Sequence, residues 1–168
     1  DSDGFNRWEA GQRLAIDVIQ EMIAGIHKNA TEQEGASAEV TVDQRLISAC
    51  SSVLEQAIAA GKDPRFDRAM IAAMLILPSE SYLAELQDVV DVDAIHEARE
   101  RVRREIAIRL RPQLMAIYEL CEGGQTYEAT GSEIGRRDLR NVALAYLMQA
   151  GDEESLALCR QQFETAIC

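Results

Sequence analysis

From Phe5 onward the apolar residues recur at steps of three and four, segment after segment, and never settle into sustained alternation. Such steps collect on one face of a helix, whereas a half-buried strand needs steps of two. Trp8, Ala15, Val18, Ile19, Met22 and Ile26 form a first stripe within Phe5–Ile26, with Asp3 placed as its N-cap. Leu46, Cys50, Val53, Leu54, Ala57 and Ile58 form a second, opened by Asp43 and stopped by Gly61. Asp63-Pro64 reads as an N-cap followed by proline at the first helical position, where its missing N–H costs nothing. Phe66, Met70, Met74 and Leu77 continue from it as a row that Pro78 ends.

Ser79 is expected to cap a short helix carrying Tyr82, Leu83 and Leu86, before Asp91 or Asp93 opens the longest one. Ile95, Val102, Ile106, Leu110, Leu114 and Ile117 share one face of that helix up to about Leu120. Pro112 falls inside the row and removes a backbone hydrogen bond, which predicts a kink or break near Arg111. Gly123-Gly124 closes the segment. Leu139, Val142, Ala143, Tyr146 and Leu147 lie on a helix from about Ser132 or Gly135 to Ala150, and Gly151-Asp152 opens a last one with Leu156, Cys159 and Phe163. Residues 28–42 are polar and aperiodic and read as a surface loop, since the alternation of Ala38, Val40 and Val42 is too short to establish a strand. The prediction is therefore all-α over 1–168, with six to seven amphipathic antiparallel helices. They either close into a bundle or stack as an irregular HEAT-like superhelical solenoid, and no constant repeat length decides between the two.

Charge narrows the partners. The 168 residues carry 17 Lys and Arg against 29 Asp and Glu, a net charge of −12. Phosphate backbones and anionic membrane surfaces are held by Lys and Arg, so neither nucleic acid nor membrane is expected as a partner. The longest apolar run, Met70–Leu77, is far short of the roughly 20 residues that cross a bilayer. The opening Asp1-Ser2-Asp3-Gly4 has no basic or apolar leader pattern and is expected to be the start of an excised segment of a cytoplasmic protein. Cys50, Cys121, Cys159 and Cys168 show no C-x-x-C pairing, and the first three lie in apolar stripes, as expected of reduced buried thiols.

The motifs that carry chemistry are mostly missing. No glycine spacing matches a phosphate loop. His96-Glu97-Ala98-Arg99-Glu100 matches the zincin H-E-x-x-H only at its first two positions, because Glu100 stands where a second histidine would grip the metal. His96 with Glu100 and a cysteine is a conceivable metal half-site, but a surface helix position is the simpler reading. Arg99, Arg101, Arg103, Arg104, Arg109 and Arg111 share a helix with Glu97, Glu100 and Glu105, at spacings that pair Glu97 with Arg101, Glu100 with Arg104 and Glu105 with Arg109. This is a salt-bridged solvated face or, alternatively, the docking face of a stand-alone helical adaptor. Arg136, Arg137 and Arg140 fall in what is expected to be the first turn of their helix, where positive charge opposes the dipole and calls for partners in the fold. Asn29-Ala30-Thr31 is read as a chance sequon. Ser79 and Ser81 have no visible base, so no catalytic, cofactor-binding or metal-ligating residue is assigned.

One resemblance adds what these patterns cannot. Phe5-Asn6-Arg7-Trp8-Glu9-Ala10-Gly11-Gln12 resembles the start of the C-terminal helical domain of the M1 family of zinc metallopeptidases, in its bacterial aminopeptidase N branch. Leu77-Pro78-Ser79-Glu80, Leu83-Ala84-Glu85-Leu86, Ala94–Ala107, Arg137-Asp138-Leu139-Arg140-Asn141 through Leu147, and Gln162–Ala166 are similar to later segments of that domain, in order. The resemblance implies a non-catalytic N-terminal part of the helical domain of a zinc aminopeptidase. Zinc, its H-E-x-x-H ligands, a further Glu and the G-x-M-E-N segment would all lie in a catalytic domain elsewhere in the polypeptide. That catalytic domain would be the partner of this segment, which would cover it and limit the access of peptide substrates.

Overall fold

The computed structural model describes residues 3–31, 41–123 and 128–166. Among them are eight α-helices and no strand, one helix more than the sequence pattern gives because the row broken at Pro112 is two separate helices. They are α1 (Asp3–Thr31), α2 (Gln44–Ala60), α3 (Arg68–Leu75), α4 (Glu80–Glu85), α5 (Val92–Arg109), α6 (Arg111–Leu120), α7 (Gly131–Leu147) and α8 (Glu153–Thr165), with a 3₁₀ turn over Met148–Ala150.

Side-chain caps set most of the starts. Asp43 accepts the Arg45 N–H at 2.7 Å, Ser79 the Tyr82 N–H at 3.2 Å, Asp91 the Ala94 N–H at 3.0 Å and Asp152 the Ser155 N–H at 2.9 Å, so each satisfies an amide that the first helical turn leaves without a partner. Gly61 (φ 57°) and Gly151 (φ 65°) supply the left-handed backbone that ends α2 and reverses the chain ahead of α8. Pro112 stands in the first turn of α6, where it costs no hydrogen bond, directly after the break at Leu110.

Three starts differ from expectation. Asp3 lies inside the first turn of α1 instead of ahead of it. Asp63-Pro64 forms a turn, in which the Asp63 carboxylate takes the Arg65 N–H at 2.9 Å; the cap of α3 is Asp67, which accepts from Met70 N–H at 3.0 Å. Thr130 caps α7, so the helix begins before both Ser132 and Gly135. The loop expected at 28–42 begins late as well, because Lys28–Thr31 continue α1, which at 29 residues is the longest helix. Val42 at its far end is buried, and residues 32–40 lie outside the described part.

The helices pack in a regular order. α5 lies on α1, α6 on α2 and α7 on α3, so that a three-helix unit is followed by a second unit stacked on it. α4 links the units and rests on α5, while α8 lies at the open end against α7 and the 3₁₀ turn. This is stacking, not closure into a bundle. Paired helices start at Asp3 and Val92, Gln44 and Arg111, and Arg68 and Gly131, so the spacing is not constant and no repeat length is visible along the chain.

One core runs through the stack, with Ile19, Leu54, Leu83, Val102, Ile106, Leu114, Ile117, Leu139 and Leu147 out of contact with water. The α3 and α7 backbones approach each other closely. A Cβ on Gly135 would stand 2.8 Å from the backbone nitrogen of Ala69, so only glycine lets the two helix backbones meet here. Further along the pair, the buried Tyr146 hydroxyl donates to the Leu75 carbonyl at 2.6 Å, and burial raises the phenol's pKa, keeping the proton that makes this bond. Arg68, 8% exposed, donates to the Gly61 and Asp63 carbonyls at 2.5 and 2.9 Å and fastens the α2–α3 turn. Beside their apolar packing, α2 and α6 also share a polar border. Gln113 donates to Ser51 Oγ at 2.8 Å and Glu55 Oε1 at 3.4 Å, and Arg109 at the end of α5 donates to Gln44 at 2.5 Å.

Two measurements test this account. Gly135→Ala pushes a methyl into backbone that cannot retreat, and a loss of about 1–3 kcal/mol of unfolding free energy in a urea titration is expected. The Ser155 N–H first, then the Ser155 hydroxyl and the Arg111 guanidinium, hold the Asp152 carboxyl below its ordinary pKa. A carboxyl depressed in the folded state stabilises it above the unfolded value of about 4 and ceases to as pH falls through the folded value. Asp152→Asn is therefore expected to lower the urea midpoint at pH 7, with the difference from wild type shrinking to nothing in stronger acid.

Candidate functional surface

The residues singled out for chemistry are placed in structural contacts. His96 Nδ1 meets Glu80 Oε1 at 2.9 Å, across α4 and α5. Glu100 is held by Arg103 at 2.7 Å and Arg99 at 3.5 Å, so the expected pairing with Arg104 gives way to one three residues along. His96 and Glu100 thus face different partners, and no group of three His, Cys, Asp or Glu side chains among the described residues could hold a metal ion. The zinc that the resemblance implies has no fitting donor set among them. Cys50 and Cys121 are buried, and burial pushes the Cys50 thiol up to about 11, far from a reactive thiolate. Cys159 is half-buried, which corrects the expectation of a fully buried thiol, and Cys168 lies outside the described residues. Ser79 Oγ is occupied as the α4 cap.

The arginine row is dispersed among several tasks. Arg101 pairs with Glu97, and Arg109 with Glu105 at 3.1 Å, as the spacing predicts. Arg99 donates to the Pro78 carbonyl at 2.8 Å, and Arg111 reaches Asp152 at 2.9 Å and Glu154 at 2.8 Å, tying α6 to the start of α8. The second cluster finds the partners its position calls for, although with α7 starting at Gly131 it falls in the second turn and beyond. Arg136 pairs with Glu133 at 2.8 Å and donates to the Cys121 carbonyl. Arg137 donates to the Glu128 carbonyl at 3.0 Å, and the Arg140 guanidinium sits 4.4 Å from the centre of the Tyr118 ring.

What the fold leaves open is apolar. α3 ends at Leu75, and residues 76–78 run extended across α1. Gln12 Nε2 donates to the Ile76 carbonyl at 2.8 Å from one side, while Arg99 holds the Pro78 carbonyl from the other. With its carbonyl drawn toward α1, Ile76 is left 54% exposed. Two recesses, 320 and 700 Å³, flank it with Gln12, Ile76 and Leu77 as their shared border, an apolar groove divided at Ile76. Leu14, Val53 and Met74 line the first, and Trp8, Ile16 and Tyr82 the second. Phe5 stacks on Trp8 at 5.7 Å between ring centres. The groove has the apolar centre of a contact surface and no nucleophile with a base. Periodicity alone hides it, because Ile76 belongs to no helical stripe once α3 stops at Leu75.

The whole chain, residues 1–168, matches the family described as "Domain of unknown function (DUF3458_C) ARM repeats". It is 32% identical to an aminopeptidase N of Caulobacter vibrioides over 166 residues, 99% of this chain and 17% of that protein. An aminopeptidase N of Escherichia coli is likewise 32% identical over 162 residues, 96% of this chain and 17% of the relative. The chain therefore spans about one-sixth of the length of these curated relatives. Its fold is also that of a segment of Legionella pneumophila aminopeptidase A, crystallised in complex with aspartic acid, with a TM-score of 0.68 over 98% of this chain and 18% of that one at 21% identity. Three-helix units stacked helix on counterpart helix, matched over all 168 residues, make this chain a member of the DUF3458_C ARM-repeat family.

Proposed function

We propose that this segment is the N-terminal part of the helical domain of a zinc aminopeptidase that removes N-terminal residues from peptides, and that it takes no chemical part itself. The observation that carries the reading is the 32% identity over nearly the whole chain to two bacterial aminopeptidases N, each about six times its length. The chemistry of the segment supports the division of labour: His96 is engaged by Glu80, Glu100 by arginines, and no described cluster offers zinc a seat. In such an enzyme zinc would activate the attacking water in a separate catalytic domain. This segment would supply a stiff wall beside that domain and restrict which peptides reach it.

An adaptor docking through the Arg99–Arg111 row has less support, since Arg99 and Arg111 are spent on contacts inside the fold. The test is a comparison of the isolated segment with the full-length polypeptide on a chromogenic alanyl substrate. The segment is expected to give the blank rate with or without added zinc, and the full-length chain to turn over substrate and lose that activity to a chelator. Zinc-dependent turnover by the segment alone, or none by the full-length chain, overturns the proposal.

A further inference from the structure

Ten large hydrophobic side chains stand exposed among the described residues, and they are not scattered. Six of them, Ile76, Tyr82, Leu86, Val89, Val90 and Val92, fall in the stretch from the end of α3 to the start of α5, and a seventh, Phe5, stands in the first turn of α1. Tyr82 and Leu86 are one helical turn apart, so α4 and the residues after it prolong the apolar side of the Ile76 groove. His27 Nε2 meets Asp91 Oδ2 at 2.9 Å, which pins this strip to the far end of α1 just as Gln12 pins Ile76 near its beginning. The stretch is thus tied to α1 at two points, Gln12 and His27. Burying such a surface is favourable in proportion to the apolar area removed from water, and a clustered apolar patch on a protein marks a contact.

The geometry of the chain selects the occupant. The first turns of α1 form one wall of the groove through Trp8 and Gln12, with Phe5 on the rim, so polypeptide joined ahead of α1 enters beside it. The other end of the array lies elsewhere: α8 packs on α7 and the 3₁₀ turn and is tied to α6 through Arg111 and Tyr118. The curated relatives supply enough additional chain, since this segment covers only 17% of each. We infer that the groove around Ile76 and the apolar strip from Tyr82 to Val92 are the docking face for the part of the same polypeptide that precedes α1. This rests on the reading of the segment as a domain of an aminopeptidase and adds the surface by which it is held.

The contact has the composition of a well-formed interface. Phe5, Trp8, Ile76 and Tyr82 make an aromatic and aliphatic centre, while Arg7 and Arg13 stand beside the recesses as a charged rim. Interfaces between domains of one chain commonly cover 600–1,500 Å². A groove centred on Ile76 and bordered by a strip of five exposed apolar side chains is a surface of that kind.

The experiment uses the full-length polypeptide with a photo-crosslinking residue at the face, Tyr82→p-benzoylphenylalanine, and a second preparation carrying it in place of Ile76. After irradiation and proteolysis, mass spectrometry is expected to find crosslinks within one chain, from position 76 or 82 to peptides that precede α1. Hydroxyl-radical footprinting of the unmodified full-length chain is expected to show Phe5 and Tyr82 labelled at least fivefold more slowly than an exposed aromatic. A crosslinked dimer would assign the groove to a second copy, and free labelling with no crosslink would leave it open to solvent; each overturns the inference. Alanyl-substrate turnover by the same preparations separates the two readings. Activity with an uncovered face removes the docking inference alone, whereas a covered face without activity removes the enzymatic reading alone.

Discussion

The second three-helix unit can settle on the first because α7 and α3 approach backbone to backbone where Gly135 faces Ala69. Everything else in the stack is arranged around that contact. With α7 drawn onto α3, Tyr146 comes within reach of the Leu75 carbonyl, and α6 and α5 fall onto α2 and α1. The carbonyl that Tyr146 satisfies lies at the end of α3, where the helical ladder has no donor left for it. A buried acceptor without that hydroxyl would cost about 1–3 kcal/mol, so the phenol both caps the end of α3 and fastens the next unit to it.

Ending α3 there has a consequence on the opposite side. The chain leaves the helix extended, clamped by Gln12 and Arg99, and the residue between the buried Leu75 and Leu77 has nowhere to go but outward. The exposure of Ile76 is thus the reverse side of the contact that joins the units. The same two-sidedness appears along α5 and the start of α6, where arginines that look like one charged row are divided between the Pro78 carbonyl ahead of α4, carboxylates of their own helix and the cap of α8. Their shared spacing in sequence conceals three different tasks.

How much of this was legible depended on how local each signal is. The caps at Asp43, Ser79, Asp91 and Asp152 and the break ahead of Pro112 were readable, because a side chain two or three residues from its amide carries the whole cause. Asp63-Pro64 misled for the same reason: proline's fixed φ suits a turn as well as a first helical position, and only Asp67, four residues on, decided the matter. The helical Lys28–Thr31 were hidden because they bury no apolar stripe of their own, and Lys28 rests favourably at the negative end of the helix dipole. Arg68 and the stacking order were out of reach, since one depends on carbonyls of a turn and the other on pairings more than sixty residues apart at unequal intervals. The family resemblance covered the site question from another direction: it implied that the metal chemistry lay outside this segment, where no spacing argument within it could look.

The polar seam between α2 and α6 bears on how such an array could deform. Apolar helix faces can slide by small steps with little penalty, because one methyl replaces another. Gln113 reaches Ser51 and Glu55 at once, and Gln44 is held by Arg109 at the neighbouring end. The seam therefore works as a key in a slot. It ties the first unit to the second, and a slide of α6 along α2 would first have to break these bonds.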